Sequence, residues 1–182
     1  MRAIIMMHGL PGTGKSFIAE KIAASLPNTI ILKTARFREN LKKSLPERFD
    51  ENNPQTRKEK DKTYKKIINE ARKAIKNGKT PILDATFHKK YRRKWAYNLA
   101  KQTKAKLIII STKCNEHTIF QRLKKRKTTS PDAFLKTKTA YQIMKKQADA
   151  LREKGLIVNY VDTARYDVRE VVRCVKGRTR KA

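Results

Sequence analysis

Residues 9–16 read GLPGTGKS, and no other stretch narrows the fold so far. A continuous apolar run, AIIMMH, stops at Gly9, and KSFIAEKIAASL follows with apolar residues at Phe17, Ile18, Ile22, Ala23 and Leu26. The first is the pattern of a buried strand and the second has helical spacing. The turn between them matches GxxxxGK[ST] in full, in the strand-to-helix context that gives the motif its meaning. Such a turn bends so that its N–H groups face one anion. Gly9, Gly12 and Gly14 are expected to allow that bend, a Cβ there crowding the approach, with Pro11 and Thr13 completing the cradle. Lys15 is expected to reach the β- and γ-phosphates of ATP, and the Ser16 hydroxyl to hold Mg²⁺. The positive end of the following helix points at the same place.

The rest of the chain repeats the strand-then-helix rhythm. TIILK, TPILDAT, KLIIIST and LIVNYVDT read as further strands. Helices are expected through TARFRENLKKSL, TYKKIINEARKAIKNG, RRKWAYNLAKQ, HTIFQRLKKR, AYQIMKKQADALREKG and DVREVVRCVK, with RFDENNPQ as polar loop. Strands that are apolar throughout and alternate with helices indicate an α/β fold, a five-stranded parallel sheet covered on both faces. At 182 residues with no internal repeat, residues 1–182 are read as a single domain.

Composition adds a partner. The chain has 46 Lys and Arg against 16 Asp and Glu, a net charge of +30. So large an excess repels itself in the folded state, and a polyanion would offset the cost. Nucleic acid is the first candidate, RNA favoured, against a lysine-rich solvated surface. Cys114 and Cys174 are far apart without CxxC spacing, which fits a reducing cytoplasm. No apolar run reaches membrane-spanning length, so no membrane role is expected.

Within this frame one acid stands out. Asp84 ends the apolar run of PILDATFHKKYRR, with basic residues close behind it. Ligands of open parallel sheets sit beyond the carboxyl ends of the strands. If the third strand lies beside the first, Asp84 faces the γ-phosphate region, where it would hold the Mg²⁺ shell or orient an attacking hydroxyl. The competing reading makes Asp84 or Thr86 a helix cap. Arg122 and Arg126 stand at i, i+4 before a polar loop, where mobile arginines would neutralise a transferring phosphoryl group; a solvated basic face is the alternative. Arg38 is placed to grip a substrate phosphate or to sit on the surface.

GLPGTGKS, ARFREN, ILDATFHKKYRRKWAYNLAK, LIIIST and RLKKR…SPDAF together resemble the P-loop kinases related to 5′-polynucleotide kinase and the zeta toxins. The resemblance spans roughly residues 3 to 165. It implies a P-loop NTPase fold like that of nucleoside monophosphate kinases, with a small helical lid near residues 122–138; beyond it, the Lys and Arg of residues 176–182 read as a basic tail. It also implies Lys15 and Ser16 at ATP and Mg²⁺, Arg126 at ATP, and Arg122 and Arg126 as lid arginines. Arg38, Thr86 and Arg92 would meet the acceptor, and Asp84 would line the site. In one respect the chain departs from the family: the aspartate that serves as general base after the second strand is replaced by Ala35.

The resulting expectation is an ATP-dependent kinase acting on a hydroxyl of RNA or DNA, the 5′-hydroxyl favoured, with Lys15, Asp84, Arg122 and Arg126 catalytic. Phe37 and Tyr91 are candidates for stacking on a base, whereas Phe87 and Trp95 are read as core. The alternatives are a small-molecule kinase for a nucleoside or sugar, and a catalytically weak, nucleotide-dependent RNA-binding factor, which Ala35 favours. The adenine pocket is expected near residues 162–165.

Overall fold

The computed structural model describes residues 2–37, 49–125, 138–152, 157–165 and 167–180. Strands β1 (Ala3–His8), β2 (Thr29–Lys33), β3 (Thr80–Asp84), β4 (Lys106–Lys113) and β5 (Ile157–Asp162) form one sheet. Their order is β2-β3-β1-β4-β5, and every pairing is parallel. Among the described residues six helices accompany them: α1 (Lys15–Ser25), α2 (Pro54–Lys76), α3 (Lys90–Gln102), α4 (Glu116–Lys124), α5 (Lys138–Lys146) and α6 (Val168–Arg180). The α/β architecture expected from the alternation is the one observed.

Alternation along the strands builds two cores. Ile4, Met6, Leu83 and Ile109 face one way and pack with Tyr64, Ile67, Ala71 and Ile75 of α2 and Ala96 and Leu99 of α3. Ile5, Met7, Ile82, Ile108 and Ile110 face the other way, onto Ile18 and Ile22 of α1 and Val172 and Val175 of α6. β1 is buried on both faces, so it reads as one unbroken apolar run. A third cluster, Phe49, Ile119, Leu123, Ala140, Tyr141 and Met144, joins α4 and α5 to the chain just before α2.

Three elements differ from expectation. α2 begins at Pro54, well before the apolar spacing starts at Thr63, because Asn53 caps it by accepting from Gln55 N and Thr56 N, with Pro54 in the first turn. α5 ends at Lys146 and does not continue to Gly155. Asp149 is needed elsewhere: its N–H donates to His88 O at 2.8 Å and its Oδ2 accepts from Lys90 N at 2.7 Å, supplying the cap that α3 lacks locally. Arg93, fully buried, donates to Phe87 O, Asp149 O and Ala150 O, holding the same segment open. Finally, the stretch after β2 is a single 3₁₀ turn, Thr34–Arg36; residues 38–45 of the helix expected there lie outside the described residues.

Among the described residues no helix is long and apolar enough to cross a membrane. Neither Cys114 nor Cys174 is in a disulfide. Residues 176–180, expected as the start of a basic tail, continue α6, and 181–182 lie outside the described residues.

Candidate functional site

The carboxyl ends of β1, β3 and β4 share one edge of the sheet, and the turn at residues 9–14 runs across it. Gly9, Gly12 and Gly14 all have positive φ, at 134°, 82° and 87°. A Cβ on Gly12 would lie 2.8 Å from Ile119 Cγ2, and one on Gly9 would lie 2.5 Å from Thr112 O. These neighbours are the supports behind the turn. The glycines are therefore required by backbone conformation and by what the loop rests on, which corrects the expectation that a Cβ would crowd the phosphate side.

Hydroxyls and one arginine brace the turn further. Thr13 is buried, and its Oγ1 donates to Leu10 O at 2.7 Å and lies 2.7 Å from Thr112 Oγ1 at the end of β4. Thr163, just past β5, donates to Thr13 O at 2.8 Å. Arg122 on α4 donates to Thr163 Oγ1 and O at 2.8 Å each, and to Gly12 O at 3.4 Å. So Thr13 offers a nucleotide only its backbone, and Arg122, expected as a lid arginine, is a clamp between the phosphate loop and the chain after β5. Pro11 is buried in the same turn. Lys15 is largely buried, its ammonium donating to Leu10 O at 2.8 Å, and Ser16 is exposed in the first turn of α1.

Asp84 closes β3, paired in register with Lys33 of β2, and is 5% exposed. Gly9 N donates to Thr86 O at 3.2 Å, so the segment carrying Asp84 is tied to the phosphate loop. Among the described residues no hydrogen bond or ion pair engages the Asp84 carboxylate. Neither Asp84 nor Thr86 caps α3, whose N-cap is Lys89 and whose first N–H, that of Lys90, is met by Asp149 Oδ2. An acid left without a partner at such a place is available to a cation or a donor supplied by a ligand. No cluster of three or more acidic, His or Cys side chains occurs among the described residues. Magnesium is commonly held without such a cage, through one or two side chains and phosphate oxygens. Ser16 and Asp84 are the two side chains here that fit that mode.

Beside this edge lies a buried polar network that no local sequence pattern announces. Glu51, 3% exposed within the stretch read as polar loop, is 2.9 Å from His88 Nε2 and 3.0 Å from Lys60 Nζ. Arg92, fully buried, reaches both Glu51 oxygens, at 2.9 and 2.8 Å, and Asp61 Oδ1 at 2.8 Å. Its guanidinium also lies over the Tyr64 and Tyr91 rings. Burial works to raise the Glu51 pKa, but His88, Arg92 and Lys60 outweigh it and hold the carboxyl well below its usual range. Burial pushes His88 down, against the pull of Glu51, so the ring is neutral at pH 7. Thr86 Oγ1 bridges Tyr64 OH (2.8 Å) and His88 Nδ1 (3.0 Å). Arg92 and Thr86, both expected at the acceptor, are thus committed to the protein: the guanidinium is ion-paired with two acids and closed off from solvent. Phe87, whose N–H donates to Tyr64 OH, is fully buried core with φ 46°. Tyr91 donates to Asp61 Oδ1 at 2.8 Å and packs edge-on against half-buried Trp95.

Arg38, Arg126 and most of the lid expected near 122–138 lie outside the described residues. Ala35 is half-buried in the turn after β2. The residues missed were Thr112, Thr163, Glu51 and His88. Thr112 carries the same signal as Asp84, a polar side chain ending an apolar run. Glu51 carries none.

A family model described as an AAA domain matches residues 4–152. No curated protein sequence matches the chain. Among solved structures, a sugar kinase from Janibacter sp. HTCC2649 superposes with a TM-score of 0.71 at 14% identity, covering 97% of this chain and 94% of that one. Kti12 from Chaetomium thermophilum, in complex with ADP-AlF3, gives 0.71 at 14% identity, covering 96% and 97%. The APS kinase CysC of Mycobacterium tuberculosis, in complex with AMPPNP and APS, gives 0.63 at 12%, covering 97% and 96%. At these identities the likeness establishes a kinase-like P-loop fold.

Proposed function

Because the chain belongs to the AAA domain family and carries a kinase-like P-loop fold, we propose that it is an ATP-dependent phosphotransferase whose acceptor is a hydroxyl of a nucleic acid. The observation that carries the transferase reading is Asp84, a nearly buried carboxylate without a partner among the described residues, tethered beside the phosphate loop. Backbone N–H groups of residues 9–14 and the amino end of α1 receive the phosphates. Lys15 exchanges the Leu10 carbonyl for a phosphate oxygen and stabilises the charge that spreads over the transferring group. Ser16 and Asp84 are the side chains that would hold Mg²⁺, which when bound neutralises charge on the β- and γ-phosphates. With Ala35 in place of an acid, Asp84 is also the nearest candidate to orient the acceptor hydroxyl. A loose phosphoryl-transfer transition state asks for little early proton removal, so one acid in this position suffices. The thiols Cys114 and Cys174 suit a reducing cytoplasm.

The net charge of +30 supports a polyanionic acceptor. A small-molecule acceptor is the second reading, supported by the superposition on a sugar kinase and an APS kinase. Incubation with γ-labelled ATP, Mg²⁺ and a panel of 5′-hydroxyl RNA, DNA and tRNA tests the first reading. Label on one of the nucleic acids is the expected result. Label on a sugar or nucleoside and on none of the nucleic acids would transfer the assignment to the second reading.

A further inference from the structure

On the outer flank of α2, a groove of about 500 Å³ runs between the helix and the chain leaving β2. Phe37, Lys66, Asn69, Arg72, Lys73 and Lys76 line it, with one acid, Glu70. That acid is already paired, Lys73 Nζ lying 2.8 Å from its Oε1. Arg72 is held in place by a 2.8 Å bond from Nη2 to Gln102 Oε1 on α3. Positions 66, 69, 70, 73 and 76 follow one another at helical spacing, so the cationic and amide side chains form one strip. From Lys66 to Lys76 the strip extends about 15 Å along the helix axis. Phe37, half-buried against the first core, presents the remainder of its ring at the head of the strip.

Position relative to the candidate site gives the groove a direction. Lys33 is the register partner of Asp84, and Phe37 stands one 3₁₀ turn further on. The groove therefore opens at the sheet edge that bears Asp84. It descends α2 toward Lys76, beside the start of β3 at the opposite edge. A phosphodiester backbone would meet successive cations along this path, and Phe37 offers a face on which a base can stack. In a duplex the bases are stacked on one another, and a ring at the head of a helix-side groove could not reach a face.

We propose that this groove binds single-stranded nucleic acid and leads the strand away from the acceptor position at Asp84. The direction of the strand rests on the acceptor reading above; the binding does not. The two are separated by measuring binding and transfer on the same variants.

The binding experiment follows the fluorescence anisotropy of a labelled oligouridylate, and of a duplex of equal length, across a salt series. The wild type is compared with K73A/K76A, with F37L, which keeps apolar packing and removes the stacking face, and with the control pair K94A/K101A on exposed positions of α3. Loss of two phosphate contacts should flatten the log–log salt slope of K73A/K76A by about 1.4. F37L should weaken single-strand binding roughly five- to a hundred-fold with an unchanged slope and leave duplex binding unaltered. The control pair should stay within about twofold, and ATP affinity should hold in every variant. The proposal is overturned if K94A/K101A loses as much as K73A/K76A, because the charge is then diffuse, or if F37L binds like the wild type. If groove variants bind poorly and no nucleic acid is ever labelled, the groove stands and the acceptor reading falls. If they bind and are labelled like the wild type, the groove falls and the acceptor reading stands.

Discussion

Replacing Arg92 with Met separates two accounts of one residue. If Arg92 grips an acceptor phosphate, its loss raises the acceptor KM and leaves the fold alone. In the structure it is fully buried, bonded to both oxygens of Glu51 and to Asp61. Removing one member of a buried ion pair costs about 3–5 kcal/mol, because the other is stranded in a place water cannot reach. Here the loss should fall near the lower end, about 3 kcal/mol. Glu51 keeps Lys60 at 3.0 Å and His88 at 2.9 Å, and Asp61, whose side chain is 23% exposed, rehydrates. For a chain of this size each kcal/mol moves Tm by about 2–4 °C, so the expected drop is roughly 6–12 °C. Differential scanning fluorimetry at neutral pH reads it directly. The double variant E51Q/R92M should melt above R92M, since a neutral amide no longer needs a cation. An R92M chain that melts within about 1 °C of the wild type while its acceptor KM rises would refute the buried-network account.

Four further outcomes are expected. Lys15→Ala should abolish transfer with little change in Tm, because the side chain serves the phosphates at the mouth of the loop rather than the core; a wild-type turnover would end the kinase reading. Asp84→Asn should lower single-turnover transfer by roughly 10²–10⁴ with ATP affinity little altered, and Ala35→Asp should partly restore it. In Gly12→Ala the strain of φ 82° adds to a 2.8 Å contact with Ile119, so destabilisation by about 2–4 kcal/mol and weakened nucleotide binding should appear together in melting and titration. As pH falls through 6.5, His88 stays neutral in the folded chain while the unfolded chain takes up a proton, so stability present above 6.5 is lost on acidification. Glu51, held low, adds a second loss below its ordinary value of 4.5, and His88→Asn should flatten the first limb of a Tm–pH curve but leave the second.

The sheet and the phosphate loop were legible because their signals are local. An apolar run reports a strand buried on both faces, and a glycine-rich turn before a helix reports a phosphate cradle. Asp84 was found by the same logic, since a charge ending a buried run has few other reasons to be there. What escaped depends on partners distant in sequence. Arg92 and Arg93 look alike in the string YRRKW, yet one is ion-paired with Glu51 and Asp61 and the other donates to the carbonyls of Asp149 and Ala150. A motif could place Arg92 near the acceptor, but only the fold reveals the acids that occupy it. Likewise α5 carries helical spacing past Lys146, and it is the need of α3 for a cap that ends it. Glu51 sits among polar neighbours and has no periodicity to betray its burial.

The braces of the phosphate loop have a temporal meaning. The motif is complete at Ser16, but one of its fastenings, Thr163, is nearly 150 residues further along the chain. At ribosomal rates of about 5–20 residues per second, that interval is roughly 7–30 s. Throughout it the nascent chain displays the full signature without the hydroxyl that fixes Thr13 O or the carbonyl that anchors Arg122. A firm grip on nucleotide is therefore a property of the finished sheet, conferred when the last strand docks against β4. Chains interrupted before that strand would carry the motif without its rigidity, and would not compete for ATP with completed ones.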